Sequence, residues 1–200
     1  MTNNKALFMK WAQILFYVQC AAVVVSLIAS LPFVGSWFTW IIRIISIATV
    51  FVIYKLSPVN PRYRKAAIFM GISTILLVIF VKELWILVIV GAICSIIGMY
   101  QEYVGHSEVM AGIDDKLAKN WHSLFHWDFW GGLAVSFIGA ICLTILTLTI
   151  SSEVSVDVAV VIADGYQTIL NIVYLVFLKR MLTVYANYEP QKEEEITNEG

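Results

Sequence analysis

The sequence predicts an all-α integral membrane protein: a six-helix transmembrane bundle with both termini cytoplasmic and one cytoplasmic interfacial amphipathic helix. Of the 200 residues, 60% are hydrophobic and only 14% are charged, whereas about 25% of the residues of a soluble domain are charged. The apolar residues also form continuous runs, unlike the alternating pattern of a barrel strand. Only helices and closed barrels satisfy their backbone hydrogen bonds in lipid, so helices are predicted.

Six apolar runs are candidate spans, since a transmembrane helix needs about 20 predominantly apolar residues. They cover residues 11–31, 37–54, 66–81, 84–100, 129–150 and 158–178, within a single domain of residues 1–186. One helix over 66–100 would be about 52 Å long, which exceeds the ~30 Å hydrocarbon core. We therefore interpret Lys82 and Glu83 as a turn between two short spans, with a re-entrant pair as the alternative.

The distribution of basic residues predicts the orientation. With six spans, one side of the membrane holds most of the 13 Lys and Arg residues, and basic residues are retained in the cytoplasm. Both termini are therefore predicted to be cytoplasmic. The basic residues on that side are Lys5, Lys10, Lys55, Arg62, Arg64, Lys65, Lys116, Lys119, Lys179, Arg180 and Lys192.

Two segments outside the spans have distinct patterns. Residues 114–126 place Leu117, Trp121 and Leu124 on one helical face and charged residues on the other. This pattern, followed by two tryptophans, predicts an amphipathic helix that lies in the membrane interface and leads into the fifth span, with its apolar face toward lipid or the bundle. Residues 187–200 are rich in glutamate and nearly free of apolar residues, which predicts a disordered acidic tail.

Small residues recur at intervals of four within three spans. Such spacing lets helix backbones approach closely in lipid. The repeats are compatible with packing inside the bundle, with a membrane protein partner or with a homo-oligomer. They comprise Ala22, Ser26 and Ser30, then Gly91 and Ser95, and then Gly132, Ser136 and Ala140.

Two charged residues within spans are the first candidates for a ligand or ion pathway, because burying a charge in lipid is costly. Arg43 and Asp164 each lie six residues from the external end of their span, about 9 Å deep. We predict that the two side chains pair with each other, either directly as an ion pair or through one shared water. Gln167 and Asn171 follow Asp164 at helical spacing, so all four residues are candidates for lining a site.

The three histidines, His106, His122 and His126, are the candidates for a metal site. Two histidines four residues apart can share zinc, but Ser123 stands where the HExxH motif has glutamate. We therefore predict no bound metal and no cofactor. No nucleophile elbow, phosphate-binding loop or dinucleotide fingerprint is present, so the sequence favours a protein that is not an enzyme.

The outline of six spans, about 200 residues and internal termini is similar to the substrate-binding subunits of energy-coupling-factor transporters. The small residues of the first span resemble the surface that contacts their coupling subunit. The resemblance concerns architecture only and assigns no residues, and the long connection before the fifth span departs from it. It implies a transport or ligand-binding subunit.

Three functional classes follow from the sequence. The first is a small transport or ligand-binding membrane subunit, and the second is a non-catalytic partner or regulatory membrane protein. A membrane-embedded metal-dependent enzyme is the third. Net charge −1 gives no basic stripe for nucleic acid. The expected location is a cell membrane, with the bilayer itself as a partner, and the absence of glycosylation sequons fits a bacterial plasma membrane.

Overall fold

The computed structural model describes residues 2–29, 37–79, 85–149 and 152–188, and these ranges contain helices and short turns but no strand. The helices are α1 (Thr2–Ala29), α2 (Trp37–Lys55), α3 (Pro61–Ile79), α4 (Trp85–Met110), α5 (Asp115–His126), a π-helix (Trp127–Gly131), α6 (Gly132–Thr149) and α7 (Ser152–Asn187).

The prediction of an all-helical protein is confirmed for the described ranges. Four stretches are long and apolar enough to cross a membrane, namely Asn4–Ala29, Ile86–Met110, Asp115–Ile145 and Ile162–Asn187. They are compatible with a multi-pass membrane protein. The predicted turn at Lys82 and Glu83 and most of the acidic tail lie outside the described residues.

The helices pack mainly against their neighbours in sequence, and α1 also packs against α7. This last contact brings the two ends of the chain together. The Lys5 ammonium donates to the carbonyl oxygens of Ala186, at 3.1 Å, and Tyr188, while the rings of Phe8 and Tyr185 lie 4.4 Å apart. The beginning of α1 and the end of α7 therefore lie at the same end of the bundle.

Most of the buried side chains also lie at that end, which we call the closed end. It contains the first half of α1, the end of α2, the beginning of α3, the end of α4, α5 and the last part of α7. Its fully buried larger side chains are Phe8, Leu15, Ile53, Leu56, Tyr63, His106, Met110, Leu117, Trp121, Leu178 and Met181.

The opposite end of the bundle is called the open end, and fewer of the described side chains are buried toward it. Large apolar side chains are exposed along the helices that lead to it, from Trp40 to Tyr54 on α2 and from Ile86 to Tyr100 on α4. Such surfaces are typical of helices that face lipid.

The helix predicted over residues 114–126 is confirmed: α5 runs over Asp115–His126, with Asp114 as its N-cap. Its backbone continues through the π-helix into α6 with helical torsion angles at His126, Trp127 and Gly132. Asp114 contacts Arg180, and the Trp121 ring lies 5.2 Å from Tyr174.

These contacts show that α5 runs antiparallel to α7. No proline occurs between residues 115 and 149 to end the helix. Of the two predicted surroundings of the apolar face, lipid or the bundle, the structure shows the bundle: Leu117, Ala118, Trp121 and Leu124 are buried, and α5 packs against α4 and α7.

The start of α5 is set by a tight turn. Gly112 has φ +79°, a conformation that costs glycine little. The Asp114 carboxylate accepts a hydrogen bond from the Leu117 amide at 2.9 Å and forms an ion pair with Arg180 at 2.9 Å. The bond from the Leu117 amide is the main cause that lowers the pKa of Asp114 below its ordinary value, and Asp114 is thus a charged N-cap.

The π-helix depends on a glycine and a tyrosine. The Tyr166 hydroxyl of α7 donates to the carbonyl oxygen of Trp127 at 2.6 Å. A β-carbon at Gly131 would overlap that hydroxyl, whereas one at Gly132 would meet open space. Gly131 therefore lets α7 reach the carbonyl group at the start of the π-helix.

Candidate functional site

A cleft of about 280 Å³ lies among α1, α2 and α7 toward the open end. It brings together three of the four residues that the sequence proposes for a ligand pathway: Asp164, Gln167 and Asn171. The Gln167 amide donates to the Asn171 side-chain oxygen at 3.4 Å. The other lining residues are Ser26, Leu27, Ala29, Ile42 and Thr168.

A second cleft of about 320 Å³ adjoins the first, and Ser26 and Ile42 line both. Its polar lining consists of hydroxyl groups from four helices and one amide. Asp164 is the single charged side chain lining either cleft in the described part of the chain. The polar residues of the second cleft are Gln19, Ser26, Ser46, Thr49, Ser73, Thr74 and Ser95.

Three of the recurring small residues, Ala22, Ser26 and Ser95, therefore line the second cleft. The sequence associates them with helix contacts. Because their side chains are small, these residues leave the space between α1 and α4 unfilled.

Arg43 does not join Asp164. Its guanidinium lies over the Trp40 ring, 4.8 Å from the ring centroid. In the described ranges no ion pair connects Arg43 to Asp164, so the predicted direct ion pair is wrong, whereas a pairing through one shared water stays a prediction. Ile42, next to Arg43, lines the cleft, and consecutive side chains on a helix point about 100° apart. Equal depth in the membrane does not ensure that two side chains face each other.

A buried polar network occupies the closed end, and we call it the tyrosine–histidine network: Tyr63, Glu102, His106 and Tyr174. The Tyr63 hydroxyl lies 2.8 Å from His106 Nδ1, and the Tyr174 hydroxyl lies 3.2 Å from His106 Nε2. Tyr174 also donates to the Glu102 carboxylate at 2.5 Å. His106 is 0% exposed. Burial is the main cause that raises the pKa of Tyr63 well above its ordinary value, so the phenol stays protonated as a donor.

Aromatic rings enclose this network. The Trp121 ring centroid lies 4.5 Å from that of His106. Tyr103 packs 5.9 Å from Trp121 and donates to the Asp128 carboxylate at 2.8 Å. The indole nitrogen of Trp121 is buried without a hydrogen-bond partner. The network is therefore shielded from solvent, and any change of charge inside it acts in a medium of low polarity.

Sequence reasoning identified His106 only as a weak metal candidate and missed Tyr63 and Tyr174. Glu102 and His106 are four residues apart, which places them on one helical face. That spacing was the available signal, but the fourth span was predicted to end at residue 100, so these residues were assigned to a connection. The structure extends α4 to Met110.

The other two histidines lie elsewhere. His122 and His126 are exposed on α5, with ring centroids 5.0 Å apart, and line a surface groove with Asp115 and Lys119. Among the residues that the structure describes, no group of three or more His, Cys, Asp or Glu side chains is arranged to hold a metal ion.

Polar contacts also fix the turn between α2 and α3 to α4. Arg62 forms an ion pair with Glu108 at 3.1 Å and donates to the Gln101 amide oxygen at 3.0 Å. Asn60 donates to Glu108 at 2.9 Å. These contacts hold α3 beside the segment of α4 that carries Glu102 and His106.

No protein-family model, curated protein or solved structure matches this chain. The clefts and the tyrosine–histidine network are therefore interpreted from their own geometry.

Proposed function

We propose that the chain is a six-span integral membrane protein whose closed end faces the cytoplasm. The beginning of α1 lies beside the end of α7, and this proximity supports an even number of membrane crossings. The closed end includes Lys5, Lys55, Arg62, Lys119 and Arg180, and basic residues are retained on the cytoplasmic side.

Cysteine labelling in intact cells tests this topology. With the three native cysteines replaced by alanine, we expect an impermeant maleimide to label Glu153→Cys, in the predicted external connection. We expect no labelling of Lys119→Cys, which is exposed at the closed end, until the cells are permeabilised. The reverse pattern would contradict the orientation, and equal labelling of both variants would contradict six spans.

We further propose that the protein is a small transport or ligand-binding membrane subunit whose solute enters the two adjoining clefts. The supporting observation is the convergence of Asp164, Gln167 and Asn171 on one cleft. Ligand sites commonly occupy about 300–1,000 Å³ and contain a few converging polar groups, and the two clefts have that size together.

The lining favours a small cationic solute that also offers hydroxyl or amine hydrogen-bonding groups. Asp164 supplies one negative charge, and the remaining polar groups are hydroxyls and amides. No Lys, Arg or His side chain lines the clefts in the described ranges. A carboxylate in a protein cleft attracts a cation more strongly than it would in bulk water.

Thermal unfolding of the purified protein tests the cationic solute. We expect choline, at about ten times its dissociation constant, to raise the Tm by about 3 °C or more, and acetate to have no such effect. Asp164→Asn should abolish the shift. Arg43→Gln is the matched control and should retain it, because Arg43 lies over Trp40 and not in the cleft.

The absence of a shift with every organic cation would contradict this proposal, as would loss of the shift in Arg43→Gln alone. A role as a partner or regulatory protein would then be the better-supported function.

One observation favours that second candidate: a β-carbon at Gly132 or Gly139 of α6 would meet no atom within 4 Å. This small-residue surface is open to another helix, and native mass spectrometry of the membrane extract would show a bound subunit.

A further inference from the structure

The tyrosine–histidine network has a defined direction of hydrogen donation. Tyr174 donates its only hydroxyl hydrogen to Glu102, so its oxygen can only accept a hydrogen from His106 Nε2. In a neutral imidazole Nδ1 is then the acceptor, and it receives the hydrogen of Tyr63. The chain runs from Tyr63 through His106 and Tyr174 to Glu102, and every donor in it has an acceptor.

In this arrangement the imidazole is neutral, and the Glu102 carboxyl group accepts the hydrogen bond from Tyr174. His106 Nε2 lies only 3.6 Å from Glu102 Oε1, so a carboxylate at Glu102 favours a positive charge on the imidazole. The Trp121 ring also favours it, since its centroid lies 4.5 Å from that of His106 and aromatic faces attract cations within about 6 Å.

The groups that face His106 from each neighbouring helix are few. The beginning of α3 contributes Tyr63, α4 itself contributes Glu102, and α7 contributes Tyr174. From α5 the contact is Trp121, which does not titrate. Glu102 is thus the charged partner of His106 in these contacts.

We propose that Glu102 and His106 form a proton-binding site at the closed end, which takes up one proton from the cytoplasmic side. The proton binds at His106 Nδ1, and the imidazolium is balanced by the Glu102 carboxylate. Because Nδ1 then carries a hydrogen, the bond to Tyr63 reverses: Nδ1 donates, the phenol oxygen accepts, and the phenol hydrogen loses its acceptor.

The reversal acts on α3. Tyr63 is fully buried, and its hydroxyl must find a new acceptor or water, which favours movement of the beginning of α3 relative to α4 and α7. The same helix carries Ser73 and Thr74 of the second cleft, about 15 Å farther along at 1.5 Å per residue. The proton site does not require a solute in that cleft, so it can be tested separately.

Nitrogen NMR of ¹⁵N-histidine in full-length protein in lipid nanodiscs tests the site. The substitutions His122→Gln and His126→Gln leave His106 as the single histidine, since the sequence has three. At about pH 9 we expect a neutral ring with its hydrogen on Nε2. As the pH falls toward about 4, one transition should place hydrogens on both nitrogens, because the proposed site takes up one proton at Nδ1.

Glu102→Gln should lower the midpoint of this transition by about one pH unit or more, because a nearby negative charge has been removed. Glu108→Gln is the matched control: it lies on the same helix but pairs with Arg62, and it should move the midpoint by less than half as much. Equal shifts in the two variants would contradict the proposal.

The protein that carries only His122→Gln and His126→Gln keeps Glu102 and Glu108. Its NMR spectrum therefore tests the site even if neither glutamate variant folds. A ring that stays neutral from about pH 9 to about pH 4 would overturn the proton site. A neutral ring with its hydrogen on Nδ1 would overturn the direction of the chain, and with it the reversal at Tyr63.

Discussion

Replacement of Trp121 by alanine is expected to lower the free energy of unfolding by about 3–5 kcal/mol, the usual cost of removing a large buried aromatic side chain. Trp121 is 0% exposed. Its ring packs against His106, Tyr174 and Phe177, with centroid separations of 4.5, 5.2 and 5.7 Å. The change therefore leaves a cavity where α4, α5 and α7 meet.

Trp130→Ala is the matched control, because Trp130 lies on the same continuous helix and is 62% exposed. Its loss should cost less than about 1 kcal/mol. Thermal unfolding in mild detergent, followed by the fraction that remains monodisperse on size-exclusion chromatography, compares the two. Similar losses for both variants would show that α5 does not pack into the bundle as described.

Replacement of Gly98 by alanine is expected to lower the free energy of unfolding by about 1–3 kcal/mol through overpacking. An added β-carbon would lie 2.6 Å from the Met70 side chain, 3.1 Å from the Met70 backbone nitrogen and 3.4 Å from the Ala66 carbonyl oxygen. The Met70 side chain can turn away, but the backbone contacts require α3 to move away from α4.

Gly139→Ala provides the comparison. Nothing lies within 4 Å of a β-carbon at this position, and alanine is favoured over glycine in a helix by up to about 1 kcal/mol. Chemical unfolding of both variants in the same detergent should show opposite signs. A neutral Gly98→Ala would mean that α3 and α4 are farther apart than the structure shows.

Helical class and the approximate positions of the apolar stretches could be predicted because the hydrophobicity of the chain reports directly on burial in lipid. The length of a helix beyond its apolar stretch could not be predicted in this way. Residues 101–110 contain polar side chains and were assigned to a connection, yet they are helical as the last part of α4. Residues 115–126 were predicted to be helical, but their packing against α4 and α7 was not predicted. The partner surface that made this possible is not visible in a local window of sequence.

The part of the candidate site that could be predicted from the sequence is the part whose residues lie on a single helix. Asp164, Gln167 and Asn171 share a face at spacings of three and four, and the structure brings them to one cleft. The failed direct ion pair of Arg43 with Asp164 and the missed contact of Tyr63 with His106 both involve two helices. Such contacts depend on how each helix is rotated about its axis, which the packing of the whole bundle decides.

The uneven packing of the bundle has a mechanical consequence. In the described part of the chain, aromatic rings, ion pairs and the Lys5 contacts join the helices at the closed end, whereas two clefts separate them toward the open end. We therefore expect the closed end to act as the pivot, so that small rotations there are amplified along the helices. A helix that tilts by about 5° displaces a point about 25 Å along its axis by roughly 2 Å. A tilt of that size would visibly change the width of a cleft beside Asp164, while the pivot itself would hardly move.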